Sequence, residues 1–247
     1  MTTVNYITEI ELRRRGDESG YPFDIPAITL LDRMELSAPV TFFIGKNGSG
    51  KSTLLEAIAV AYGFNPEGGS KNMTFETFGS HSALHERLKI IKGPYRPRDG
   101  YFLRAESFYN VASHIEELDA VPGFAPPIKG AYGGNLHERS HGEAFSALFF
   151  TRLHGKGLYI LDEPEAALSP DNQLAALARI KELTDSGSQF IIATHSPILA
   201  AYPGAEIFSF DENGITSVKY EETDLYRVYK YFLNNREKVL NELGVRN

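Results

Sequence analysis

One stretch constrains this chain more than any other: "FFIGKNGSGKSTLLEAIAV", residues 42–60. The apolar run Val40–Ile44 reads as a buried strand that stops at a glycine-rich turn. Lys51–Tyr62 reads as a helix with Leu54, Ile58 and Ala61 on one face. Between them lie Gly45, Lys46, Asn47, Gly48, Ser49, Gly50, Lys51, Ser52 and Thr53. The first eight fit G-x-x-x-x-G-K-[ST], in the strand–loop–helix setting that this pattern needs. Glycines let the backbone curl so that successive N–H groups point at phosphate oxygens. The helix that follows adds the positive end of its dipole. Lys51 would reach the β- and γ-phosphates of a nucleotide, and Ser52 would hold Mg²⁺. The competing reading is a glycine-rich turn beside a chance Lys-Ser, which leaves the flanking strand and helix unexplained. A phosphate cradle alone still admits kinases, GTPases, transport ATPases and DNA-repair ATPases.

"LYILDEPEAALSP", residues 158–170, narrows the choice. Four apolar residues of a buried strand, expected next to the phosphate-loop strand, run into Asp162 and Glu163. A carboxylate there can hold the Mg²⁺ shell, the role assigned to Asp162. Glu163, one residue on, would face an attacking water and act on it as general base. An acidic pair capping the next helix is the structural alternative. "IIATHSP", residues 191–197, ends a third buried strand at His195. An imidazole at that strand end would meet the γ-phosphate or the water, although a lone His is more often structural. The helix Asp171–Asp185 between these strands completes an alternating pattern, which implies a mostly parallel sheet.

The rest of the chain bounds the answer. Its 247 residues, 42% hydrophobic, suffice for one core with a small lobe. Without cysteine there are no disulfides or thiolate metal sites. The N-terminal "MTTVNYITEIELRRRG" lacks the apolar region of a signal peptide, and no stretch is apolar enough to cross a membrane. The expectation is a cytoplasmic chain without membrane insertion. The net charge of −7 does not indicate a nucleic-acid partner. The basic stretches "LRRRG" (12–16) and "KGPYRPRDG" (92–100) are read as solvated surface, with nucleic-acid contact as the alternative. Residues 205–220 read as a hairpin with an Asn-Gly turn. The apolar spacing over Asp224–Leu243 predicts a helix packed on the core. Residues 63–104 look irregular, and about 107–155 reads as a helical lobe inserted into one domain spanning 1–247.

Taken together, "GKNGSGKST", "LDEPEAALSP" and "ATHSP" resemble the ABC-class ATPase domain. The resemblance is to the soluble branch that includes RecF, structural-maintenance-of-chromosomes proteins and overcoming-lysogenization-defect ATPases. It also extends to predicted AAA-family ATPases of bacteria, and covers residues 40–220. It implies an α/β P-loop fold with a mostly parallel core, an N-terminal antiparallel part and a small helical lobe. It implies ATP and Mg²⁺ as ligands, hydrolysis of ATP, and a homodimer that forms on ATP binding and signals to an unknown protein partner, in defence or genome maintenance. It also demands a signature before Asp162. The candidate is Arg139–Glu143, where Ser140 and the Gly142 backbone would close over the nucleotide of the other copy; a helix with Phe145, Leu148, Phe149 and Leu153 on one face follows. A plain capping box accounts for the same residues and coexists with that role. Where transporter domains carry a Gln, "YFLRAESFYN" offers Glu106 as the third metal-site residue beside Ser52 and Asp162. Ser169 replaces an Asp common in transporters. Tyr6, Tyr21 and Phe23 are candidates for adenine stacking, each also a candidate core residue. The alternatives are the nucleotide-binding subunit of an ABC transporter, a DNA-repair ATPase, whose long coiled-coil insertion is missing, and an ATP-binding switch without turnover.

Overall fold

The run Val40–Gly45 becomes β3, and Val40 through Ile44 are all buried. A strand buried on both faces needs neighbours on both edges, and β3 has them. The computed structural model describes residues 5–71, 82–104 and 146–245, with Ser113, Asp119, Gly130 and Glu143. Within these, β3 pairs in parallel with β8 (Gln189–Ala193) on one side and β9 (Glu206–Asp211) on the other. β7 (Gly157–Asp162) follows β8 in parallel, and β6 (Asp99–Arg104) follows β7. The two edges are antiparallel: β10 (Gly214–Ser217) pairs with β9, and β4 (Gly69–Ser70) pairs with β6. The order is β10-β9-β3-β8-β7-β6-β4.

This order corrects one expectation. The strand that ends in Asp162 is not next to β3, because β8 lies between them. Both strands are apolar throughout, so nothing in either sequence reports its neighbour. The consequence for the site is that the end of β8, with Thr194 and His195, sits between the phosphate loop and the Asp162 strand end.

Alternation along the strands builds two cores. Phe43, Phe102, Leu158, Ile160 and Ile191 face α2 (Lys51–Tyr62), whose Leu54, Leu55 and Ile58 are fully buried against them. Phe42, Tyr101, Tyr159, Leu161 and Ile192 face α3 (Pro170–Asp185) through Ile180 and Leu183. Helices on both faces of a parallel sheet are the expected solution for strands without a wet side. A second, antiparallel sheet of order β2-β1-β5 packs over the α2 side; it comprises β1 (Ile7–Leu12), β2 (Arg33–Glu35) and β5 (Leu88–Lys92). Gln189 ties the two sheets together. Its Oε1 accepts from Tyr6 N (2.7 Å) and Ile7 N (2.9 Å), and its Nε2 donates to Ile7 O at 2.8 Å.

β5 and β6 lie where the sequence looks irregular. Both are flanked by Gly and Pro, and they become strands because β1 and β7 pair with them. The 205–220 hairpin is present, but Glu212 and Asn213 form its loop and Gly214 opens β10 with φ +115°. The tail departs further. It forms α5 (Asp224–Asn234) and α6 (Arg236–Glu242), following the short α4 (Pro197–Ala200), and neither α5 nor α6 buries a residue. Leu225 packs on the core, but Val228, Tyr231 and Leu233 are exposed, so beyond its first turn the apolar face is not covered by the core. Helical spacing marks an amphipathic helix but not what covers it. Of the stretch 107–155 expected to form an inserted lobe, a π-helical turn over Leu148–Arg152 is described, and Phe149 and Leu153 are buried in the main core. Among the described residues, no helix is long and apolar enough to cross a membrane.

Candidate active site

The loop after β3 needs its glycines for two separate reasons. Gly45 has φ +145°, and a Cβ there would lie 2.3 Å from the backbone oxygen of Phe210 in β9. Gly50 stands at the N-cap of α2 with φ +98°, and its Cβ would press on Ile25 Cγ2 at 3.0 Å. Lys46, Asn47 and Gly48 form the exposed rim, while Ser49 turns inward. Lys51 is buried, and its Nζ donates to the carbonyls of Gly45 (2.9 Å) and Lys46 (3.0 Å). Burial holds the Lys51 pKa below its ordinary value, against the opposing pull of Glu163, Asp162 and Glu165. The lysine tip is therefore enclosed by its own loop rather than surrounded by solvent.

Ser52 and Asp162 meet although they are far apart in the chain: Ser52 Oγ donates to Asp162 Oδ1 at 2.9 Å. A hydroxyl and a carboxylate oxygen side by side are the hard donors that Mg²⁺ takes. Among the described residues no cluster of three acidic or histidine side chains has metal-binding geometry. A two-donor set suits an ion that keeps waters and phosphate oxygens in its shell. Next to it, Glu163 is held at φ 48°, ψ 52°, a left-handed conformation rare outside glycine. Its N–H donates to Ala193 O of β8 (2.9 Å), which locks the turn onto the neighbouring strand. His195 Nε2 lies 3.5 Å from Glu163 Oε1. That distance is long for a hydrogen bond, and Nε2 has no other partner among the described residues while being shielded from water. Ser49 Oγ is likewise buried and unpartnered among the described residues. Buried polar atoms normally find partners; Ser49 belongs to the phosphate loop itself, and His195 follows β8, the strand paired with β3.

Three further residues, Glu165, Arg104 and Glu56, join the site without having been singled out for it. Glu165 is half-buried two residues past Glu163, where its carboxylate accepts from Thr194 Oγ1 (2.8 Å) and from His195 N. Burial pushes its pKa up, and those hydrogen bonds only partly oppose the shift. Glu165 thus fixes the backbone that carries His195. Arg104 ends β6 in register with Asp162 and donates to Glu56 of α2 at 2.8 Å. Tyr21, Arg104 and Glu56 line a cavity of about 160 Å³ with Ser52, Asp162 and Glu163. A charged residue directly after the apolar "YFL" was the available signal for Arg104. The three aromatic candidates separate: Tyr6 is 2% exposed in the core and Phe23 is half-buried, whereas Tyr21 is 71% exposed with its hydroxyl 3.2 Å from Thr53 Oγ1. Ser169 caps α3 by accepting from Asn172 N. Glu106, Ser140 and Gly142 lie outside the described residues.

A Haemophilus influenzae protein named "Uncharacterized ABC transporter ATP-binding protein" is 35% identical over 183 residues, covering 68% of each chain. The chain belongs to the ABC-class P-loop ATPases. Two family descriptions agree with this membership: "AAA domain" matches residues 29–101, and "AAA domain, putative AbiEii toxin, Type IV TA system" matches residues 144–201. The Mycobacterium tuberculosis ABC transporter ATP-binding/permease protein Rv1747 is 27% identical over 192 residues, and the match spans 68% of this chain but only 21% of that protein. In solved structures, cbiO1 from Clostridium perfringens, described as part of the ABC transporter complex cbiONQ, shares the fold. It covers 96% of this chain and 99% of its own, at 20% identity and a TM-score of 0.50. The ABC-class fold expected from the motifs is the fold observed.

Proposed function

We propose that this ABC-class chain binds ATP and Mg²⁺ at residues Gly45–Thr53, hydrolyses the ATP, and works as a homodimer whose closure a partner protein reads. One observation carries the reading: Ser52 of the first turn of α2 bonds Asp162 at the end of β7, and Glu163 there lies 3.5 Å from His195 just past the end of β8. Lys51 and the loop N–H groups bind the phosphates, and Tyr21 stacks on adenine from its exposed position above Thr53. Ser52 and Asp162, with Glu106 as the third contributor, would hold Mg²⁺, which when bound would supply positive charge beside the phosphates. Glu163 takes a proton from the attacking water. His195 uses its Nε2, which has no hydrogen-bond partner among the described residues, to hold the γ-phosphate oxygens, and Glu165 keeps His195 in place by gripping its backbone. Ser140 and the Gly142 backbone close over the nucleotide of the second copy.

The names of the relatives favour a second reading, the ATP-binding subunit of a transporter. The two readings share the site and differ in the partner. Glu163→Gln tests the shared part, since the amide keeps the shape and loses the base. Phosphate release should fall by about 10²–10⁴-fold while ATP affinity is retained. A rate within about twofold of wild type would remove Glu163 from the chemistry. Proteins captured by the Glu163→Gln variant from its native cells then separate the readings: permease subunits would support transport, and their absence beside another bound protein would support the non-transport ATPase.

A further inference from the structure

Far from the phosphate loop, α2 ends at Tyr62 after 12 residues, about 16–18 Å away at 1.5 Å per residue. Here a cavity of about 550 Å³ opens beside the start of β6 and the end of β4. Its walls carry Lys71, Lys92, Arg96 and Arg98, and among the described residues its one carboxylate is Asp99. That carboxylate is already engaged: Arg152 Nη1 donates to both of its oxygens (2.8 and 3.0 Å), and the Tyr159 hydroxyl donates to Oδ2 at 2.9 Å. None of the four outer cations has an ion-pair partner among the described residues. Two of them converge on a single ring. Lys71 Nζ lies 4.2 Å from the Tyr62 centroid and Lys92 Nζ lies 4.6 Å from it. Burial, and then the Lys92 charge, hold the Lys71 pKa below its ordinary value, a sign that the two ammonium groups repel each other.

The bland account is a solvated surface that complements the negative end of α2. A helix C-terminus supplies about half an elementary charge, which leaves most of four cations uncompensated in a chain of net charge −7. The loop bearing Arg96 and Arg98 is also pinned at both ends. Gly93 N donates to Tyr6 O (3.0 Å), Arg98 N donates to Lys156 O (2.8 Å), and a Cβ at Gly93 would strike Asn5 O at 2.0 Å. The guanidinium groups are thus presented on an anchored backbone, which lowers the ordering cost of binding.

We propose that this cavity is a second anion site, separate from the ATPase site, which takes a compact ligand carrying two or more phosphate groups. The charge count selects the ligand. One carboxylate or one phosphate cannot balance four cations, whereas a di- or triphosphate group can, and the volume is in the range of small-ligand pockets. Arginine forks suit phosphate oxygens and the two lysines add point charges. A nucleic-acid strand would have to continue beyond the cavity along an acidic molecule, so the local cluster favours the small ligand.

Inorganic tripolyphosphate is the probe, titrated calorimetrically into Lys51→Ala protein so that the phosphate loop contributes least. This variant should bind it, with affinity falling as salt is added. Adding Lys71→Met and Lys92→Met, which keep apolar stems over Tyr62 without the charges, should weaken binding by about tenfold or more. Arg96→Gln, on the exposed loop, should weaken it in the same direction and serves as a second reading if the double change lowers the melting temperature. Equal affinity in all these proteins would overturn the proposal. So would a single-stranded DNA oligonucleotide that binds through these residues and is not displaced by tripolyphosphate, since the surface would then be a nucleic-acid track.

Discussion

Glu165 is the residue whose chemistry is least expected from its position. It is a half-buried carboxylate beside the reacting groups that accepts from the backbone of His195 and from the Thr194 hydroxyl. Its raised pKa means that the folded chain binds this proton more readily than the unfolded chain does, because burial disfavours the charge. The contribution of the group to stability is therefore fully present below its ordinary value of 4.5 and is lost as pH rises through the raised folded value. Glu165→Gln removes this titration and keeps one acceptor for His195 N. The melting temperature of wild type minus that of Glu165→Gln should fall as pH is raised from about 4.5 toward neutrality. Thermal unfolding over that range measures it, and a pH-independent difference would show that Glu165 does not titrate as its burial requires. Lys51 shows the opposite economy: its charge is buried, yet two carbonyls of its own loop receive it.

At the scale of elements, one side chain adds three polar contacts to the apolar packing between the two sheets. Gln189 is fully buried at the start of β8, and it satisfies two N–H groups and one carbonyl of the β1 region. Gln189→Ala leaves those three backbone groups buried without partners and also opens a cavity. Each unsatisfied group costs about 1–3 kcal/mol, so a loss of roughly 3 kcal/mol or more is expected from the urea midpoint at unchanged slope. A loss below about 1 kcal/mol would mean that water reaches the seam and replaces the amide. The same seam explains why β5 escapes a reading of its own residues. Its burial is mixed along its length, and it becomes a strand only by pairing with β1.

For the whole molecule, two features point outward. The first is the tail. Val228 is 65% exposed and Leu233 73%, whereas Leu225 packs on the core and Tyr226 stacks against Tyr220 at 4.9 Å. Ending the chain after Arg227 removes no buried residue, so the melting temperature should stay within about 3 °C of the full chain. A larger drop would show that α5 and α6 are covered in solution. The second is the proposed trans site. Ser140→Arg should block closure by bulk, and Lys51→Ala should remove phosphate binding. Mixed together, the two inactive proteins should regain part of the ATPase rate, because a heterodimer contains one site with an intact loop and an intact signature. If the mixture stays inactive while Glu163→Gln protein remains monomeric with ATP by light scattering, the trans site is excluded.

What the sequence determined by itself is local. The Gly45–Ser52 loop, the Asp162–Glu163 pair and the His195 strand end are each written in a few adjacent residues. Their backbone demands follow from neighbours in the chain: a strand before, a helix or proline after, glycine where φ must be positive. The ABC-class fold was legible in the order of these pieces. What only the tertiary structure decided depends on contacts between distant residues. Ser52 meets Asp162 across 110 positions, Tyr21 reaches Thr53 across 32, and Tyr6 is anchored to Gln189 across 183. Those contacts single out Tyr21 rather than Tyr6 or Phe23 beside the phosphate loop, place β8 between β3 and β7, and assign Glu165 to the backbone of His195. They also bring Lys71 beside Lys92, Arg96 and Arg98 of the basic stretch 92–100, around one cavity. Periodicity reports which face of an element is apolar, but the free energy of covering that face depends on which other element arrives. For that reason the exposed tail and the basic cavity came into view only with the folded chain.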